Sequence, residues 1–246
     1  FYNNVDPVHS LPFSCGYFHQ EARYGDGISF LTRAAVPQDE VLYGIGDCEN
    51  KLGRKAEAVE AFTAVVEKFP ASKLADYARL NKALLSDGET REKELRRLDR
   101  PETPKAVRDM ARFSLAPILS ASADAAERRK ALGIYLDLSA SADAKVAEEA
   151  TFFASMLSYR EGNYVEAATL YATLQKRFPT GRRTVESRVY KAWSEHLAGR
   201  PAAALETASA ALAAGAAFVD APDSRMPRDT ESRRRTVASI LQVFVE

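Results

Sequence analysis

The chain has 246 residues, of which 46% are hydrophobic and 28% charged, enough to bury a sizeable core and too apolar for a disordered segment. Lys and Arg total 34, as do Asp and Glu, so no global charge draws the chain to nucleic acid or to an acidic lipid surface. No run of eighteen apolar residues occurs; the least polar stretch, 210–219, is Ala-rich and too short to span a bilayer.

Alanine is abundant, β-branched runs are scarce, and most Gly and Pro fall between periodic segments, a pattern that predicts helices nearly throughout. In chain order these are expected over 10–22, 26–35, 38–52, 55–69, 72–86, 90–98, 103–120, 124–138, 141–160, 164–178, 182–198, 201–214 and 230–245. The helix over 55–69 shows why. Ala58, Phe62, Val65, Val66 and Phe69 recur at three- and four-residue steps, polar residues fall between them, and Pro70 ends the run. Short connections make successive helices antiparallel hairpins, expected over 10–36, 38–70, 72–99, 102–139, 141–179 and 181–215. On the final helix Val237, Ile240, Leu241 and Phe244 form one apolar face, suited to covering the end of the last hairpin.

A repeat runs through this pattern. Gly53, Ala58, Phe62 and Pro70 are matched by Gly162, Ala167, Tyr171 and Pro179 at the same spacings, 109 residues on. Gly199 and Ala204 continue the series, and Gly88 sits between. The unit is helix, Gly turn, helix and often Pro. It resembles the tetratricopeptide repeat, with Leu42, Ile45 and Gly46 in the first slots of one copy and Glu49 where that pattern has Tyr. The resemblance implies an all-α fold, a single right-handed α-solenoid of about six hairpins plus a C-terminal helix. Segments 89–98 and 124–138 keep the period with few of the consensus residues. Gly44-Ile45-Gly46 has no third glycine and no preceding strand, so it reads as a helix-packing contact rather than a phosphate loop.

The junctions Phe69-Pro70-Ala71-Ser72 and Phe178-Pro179-Thr180-Gly181 look like those of bacterial envelope repeat scaffolds, the outer-membrane assembly lipoprotein and the Tol–Pal-associated coordinator among them. That likeness implies a periplasmic or outer-membrane-associated protein; a cytoplasmic one is the alternative. The chain opens on Phe1 and not on Met, so the native N-terminus, with any leader or lipid anchor, is expected to lie ahead of it. Its two cysteines, Cys15 and Cys48, make no framework and are expected to be buried thiols, a single bridge being the alternative.

Residues for chemistry are few. His9, His19 and His196 have no metal-ligand spacing, no nucleophile elbow or phosphate loop is present, and no cofactor or metal is expected. Glu148 and Glu149 are neighbours that diverge around a helix and read as solvated. The basic groups Arg96-Arg97-Arg100, Arg128-Arg129-Lys130 and Arg233-Arg234-Arg235 read as solvated faces rather than docking patches. The expected function is therefore a non-enzymatic scaffold for a protein or peptide partner, with no nucleic acid involved. The alternative is a recruiting arm of an enzyme whose catalytic domain lies elsewhere.

In tetratricopeptide arrays the first helix of each hairpin lines the concave groove, so the resemblance places partner-binding residues there. In the second copy these are Met156 and Tyr159, in the third Trp193 and His196, and in the earlier copy Tyr43, Asp47 and Asn50. The register pairs Phe152 with Val189, Met156 with Trp193, and Tyr159 with His196. Phe152 and Trp193 read as core; Tyr159 and His196, with polar tips, are the better groove residues.

Overall fold

A computed structural model describes residues 37–219, with ten α-helices and no strand among them. The helices expected over 10–22, 26–35 and 230–245, and with them Cys15, His9, His19 and Arg233-Arg234-Arg235, lie outside the described residues. The chain divides into two compact units, Phe1–Ile118 and Leu119–Glu246.

The first unit contains α1 (Gln38–Lys51), α2 (Lys55–Lys68), α3 (Ala75–Leu85), α4 (Gly88–Leu98) and most of α5 (Lys105–Ser120). Gly53 turns the chain between α1 and α2 with φ of +78°, a conformation that a β-carbon disfavours. The hairpin closes on Phe62, fully buried with Ala58 and Val65 beside Tyr43, Leu74 and Ala78. A Cβ on Gly46 would come within 2.8 Å of the Phe62 ring. Gly46 is thus the close-approach residue of this hairpin, as its sequence position predicts. Glu49, in the slot where the repeat pattern has Tyr, is buried and hydrogen-bonded by Arg54 at 3.3 Å.

The second unit contains α6 (Ala125–Ser139), α7 (Ala144–Arg160), α8 (Tyr164–Arg177), α9 (Thr184–Leu197) and α10 (Pro201–Val219). Asp124 and Asp143 cap α6 and α7, accepting from the Ala126 and Lys145 N–H groups at 2.8 Å each. That cap starts α7 at Ala144, three residues later than the periodicity suggests. Gly162, at φ +79°, makes the α7–α8 turn as Gly53 does in the first unit. Phe152, Ala167, Tyr171 and Leu174 form the buried centre. α10 runs past the expected 214 to Val219, because the Ala-rich stretch continues the helix.

Within each unit helices pack on their sequence neighbours: α1 on α2, α2 on α3, α3 on α4, and α6 through α10 in succession. This is an all-α fold with the neighbour-on-neighbour packing of a tetratricopeptide-like α-solenoid. None of the described helices is long and apolar enough to cross a membrane.

Cysteine chemistry departs from expectation. Cys48 is fully buried on α1, yet it is disulfide-bonded and not a free thiol. Its burial accords with the expectation, but a covalent bond holds the sulfur where dispersion contacts alone were anticipated.

Candidate functional site

The residues expected to bind a partner lie on the first helices α1, α7 and α9. In the first unit they are polar and largely consumed by the fold. Tyr43 is 4% exposed, stands edge-on to Phe62 with ring centroids 5.4 Å apart, and accepts from Asn81 Nδ2 at 2.8 Å. The structure thus places Tyr43 in the core and not in a groove. Asp47 is half-buried and bound to Lys51 Nζ at 2.6 Å. Asn50 is exposed, with its carbonyl accepting from the Gly53 N–H.

The same positions in the second unit are Phe152, Met156 and Tyr159. Met156 and Tyr159 are half-buried and pack on the centre formed by Phe152 and Tyr171. The Tyr159 ring meets Tyr164 of α8 at 5.6 Å and Tyr190 of α9 at 6.0 Å, both edge-to-face. Tyr190 in turn stacks on buried Tyr171 at 6.0 Å and stands edge-on to Phe152 at 6.3 Å. Trp193 is half-buried, packs on Ala192 and Ala208, and meets the His196 ring edge-on at 6.1 Å. α9 thus offers Tyr190 to Tyr159, while Trp193 and His196 form a second group beside α10.

The hydroxyls set this cluster apart. Tyr159, Tyr164 and Tyr190 are half-buried, and none of the three hydroxyls is hydrogen-bonded within the described residues. Tyr171 is fully buried, and its hydroxyl also lacks a partner. Burial raises the Tyr159 phenol above its ordinary pKa, helped by Tyr164 and Tyr190. Burial raises Tyr171 further, with Tyr190, Glu186 and Tyr159 acting in the same direction. These two phenols therefore ionise later than an ordinary tyrosine.

Arg183, just ahead of α9, borders the rings. Its guanidinium lies 4.6 Å above the Phe152 ring centroid and donates to Glu149 at 3.0–3.2 Å and to Glu186 at 2.8 Å. Its backbone N–H donates to Glu148 Oε1 at 2.8 Å. Burial by itself lowers the Arg183 pKa, but the bonds to Glu149 and Glu186 outweigh it and raise the net value. Glu148 and Glu149 therefore converge on one residue instead of pointing apart into solvent, as the sequence reading had them.

The described basic groups are engaged in ion pairs. Arg96 pairs with Glu92, Arg97 with Glu94, Arg100 with Asp76, Arg128 with Glu161 and Lys130 with Glu127. No cluster of metal ligands occurs among the described residues. The sequence reading missed Tyr164, Tyr190 and Arg183. Tyr190 carried one signal, its place one helical turn before Trp193 on the same helix.

Comparison with known families agrees with the repeat. Residues 40–72 and 154–217 match the tetratricopeptide repeat family. These two stretches support a tetratricopeptide repeat protein. The first covers the α1–α2 hairpin; the second runs from within α7 into α10 and contains the tyrosine cluster. No curated protein matched the chain. Tetratricopeptide repeats generally mediate protein–protein interaction and are typically not catalytic.

Proposed function

We propose that the chain is a non-enzymatic interaction scaffold whose second unit docks a segment of a partner protein on the face formed by α7 and α9. One observation carries this reading: the half-buried ring of Tyr159 meets the half-buried rings of Tyr164 and Tyr190, edge-to-face with each, and none of the three hydroxyls is bonded within the described residues. Half-buried tyrosine supplies contact area at low entropic cost and a hydroxyl for a partner's backbone. Met156, Trp193 and His196 extend the surface on either side. In the first unit the corresponding Asp47 is tied to Lys51 and Tyr43 to Asn81, so docking there is secondary. An extracytoplasmic, envelope-associated setting goes with this reading. The disulfide at Cys48 supports it, because such bonds persist in oxidising compartments, as does the style of the Phe-Pro junctions.

The test begins with a random-peptide display selection on the purified chain. Binding of the enriched peptides is then measured after replacing Tyr159 and His196 by Ala. The proposal expects binding to fall while the melting temperature stays within a few degrees. Unchanged binding would remove the site. So would a stability loss of about 3 kcal/mol, the scale of a core truncation, since it would assign both residues to packing.

A further inference from the structure

We infer that residues 1–36 of this chain cover the face of α1 turned away from α2, and that a disulfide between Cys48 and Cys15 locks them there. Val41, Gly44 and Cys48 follow one another at three- and four-residue steps, which puts them on the side of α1 opposite Gly46. Gly46 is the residue that faces Phe62 of α2, and Tyr43 bonds Asn81 of α3. Among the described helices α2 packs along α1, and these contacts leave the Cys48 side untouched. Yet Gly44 is buried there, and Cys48 is 0% exposed. The cover over this face therefore comes from elsewhere in the chain.

The repeat identifies which part. The offset that carries Gly53 to Gly199 and Ala58 to Ala204 carries Val41, Gly44 and Cys48 to Ser187, Tyr190 and Ser194 of α9. On α9 this face meets the helix before it: Ser187 Oγ accepts from Gln175 of α8 at 3.2 Å, Tyr190 stacks on Tyr171 of α8, and Ser194 is fully buried. A first helix thus shows these three positions to the preceding second helix, and what precedes α1 is residues 1–36. Covalent chemistry selects the same segment independently. Cys48 is disulfide-bonded, and Cys15 is the one other cysteine in the chain. A bond to a second molecule needs a sulfur exposed on the single chain, and Cys48 has no exposed surface. This face of α1 is therefore a surface that the chain fills for itself and closes to a partner. The inference does not rest on the docking face of α7 and α9.

The experiment has two readouts on the intact chain. The first is proteolysis of the non-reduced, thiol-blocked protein followed by mass spectrometry. Peptides containing Cys15 and Cys48 should appear as one linked species from a monomer. A phosphine reductant should separate them: the disulfide takes up two electrons and two protons to give two thiols, and the phosphine becomes its oxide with an oxygen from water. The second readout is hydrogen–deuterium exchange before and after that reduction. Cutting a cross-link that closes a long loop should raise exchange across α1 about tenfold or more, with α9 unchanged, and Cys15→Ser should reproduce the reduced pattern. Cys48 found alkylated, bonded to a second copy or bonded to a small thiol would overturn the pairing. Exchange in α1 that stays the same after reduction, or that rises equally in α9, would overturn the claim that the bond holds a cover on this face.

Discussion

The α1–α2–α3 region and the α7–α8–α9 region occupy the same places in the repeat, yet they solve its contacts with different chemistry. Phe62 and Tyr171 are equally buried at the centre of their hairpins, and Gly53 and Gly162 turn the chain alike. Where the first region joins Tyr43 to Asn81 by a 2.8 Å hydrogen bond, the second places Phe152 against Tyr190 ring to ring. The junction after each second helix is held by an acidic residue from the start of the first helix. Asp39 accepts from Ser72 at 2.6 Å, and Glu148 from the Arg183 N–H at 2.8 Å. The backbone plan is shared, while the residues facing outward from it diverge from Asp47 and Asn50 to Met156 and Tyr159. A repeat constrains the positions that face its own partner helix and releases those that face outward, which is where binding specificity is free to develop.

The largest expected effect tests the shared half of the comparison. Phe62→Ala and Tyr171→Ala should each cost about 3–5 kcal/mol in denaturant unfolding. A loss under about 1 kcal/mol at either position would break the equivalence. The junctions should then separate the regions. Arg183→Ala removes a part-buried ion pair and a ring contact and should cost about 1–3 kcal/mol. Ser72→Ala removes two hydrogen bonds, one donated to Asp39 and one accepted from the Leu74 N–H, and should cost about 1–2 kcal/mol. Equal costs would mean that the Arg183 guanidinium contacts contribute no more than the Ser72 hydroxyl does.

Much of this was legible in the sequence, and the reason is local. Gly53, Gly162, Pro70 and Pro179 punctuate the chain through their own backbone constraints, so helix positions follow from neighbours in sequence. The starts of α3 and α7 shifted because Ser72 and Asp143 bond nearby backbone N–H groups: Ser72 Oγ accepts from Leu74 at 3.0 Å, and Asp143 caps α7. The face was harder to read. Whether Tyr159 meets His196 or Tyr190 depends on how α7 and α9 rotate against each other, which no spacing within one helix records. Tyr43 was misplaced for the same reason: only its pairing with Asn81, two helices on, turns it inward. Arg183 lies before its helix and outside the period, so no pattern exposed its role.

Smaller effects sharpen the contrast at the two hairpin centres. Gly46→Ala forces a methyl into the Phe62 ring and should cost about 1–3 kcal/mol. Tyr171→Phe removes a buried hydroxyl that has no partner and should leave stability unchanged or raise it by up to about 1 kcal/mol. A clear loss for Tyr171→Phe would show that the hydroxyl is bonded after all. Alkaline titration addresses the same group. In the unfolded chain tyrosine ionises near ~10, and Tyr159 and Tyr171 titrate later in the fold. Their contribution is present below that pH and is lost as pH rises from the unfolded value toward the folded ones. Tyrosinate absorbance should therefore develop later in the native chain than in the denatured one, and unfolding should become easier as pH climbs past 10. Coincident titration curves would contradict the burial described for Tyr171.

The central claim is that the two regions share a scaffold and differ in what their first helices present. Hydrogen–deuterium exchange of the chain with and without a display-selected peptide tests it most directly. The account predicts new protection in α7 and α9, with α1 unchanged. Protection centred on α1, or on the α8 and α10 faces with α7 and α9 unaffected, would contradict it.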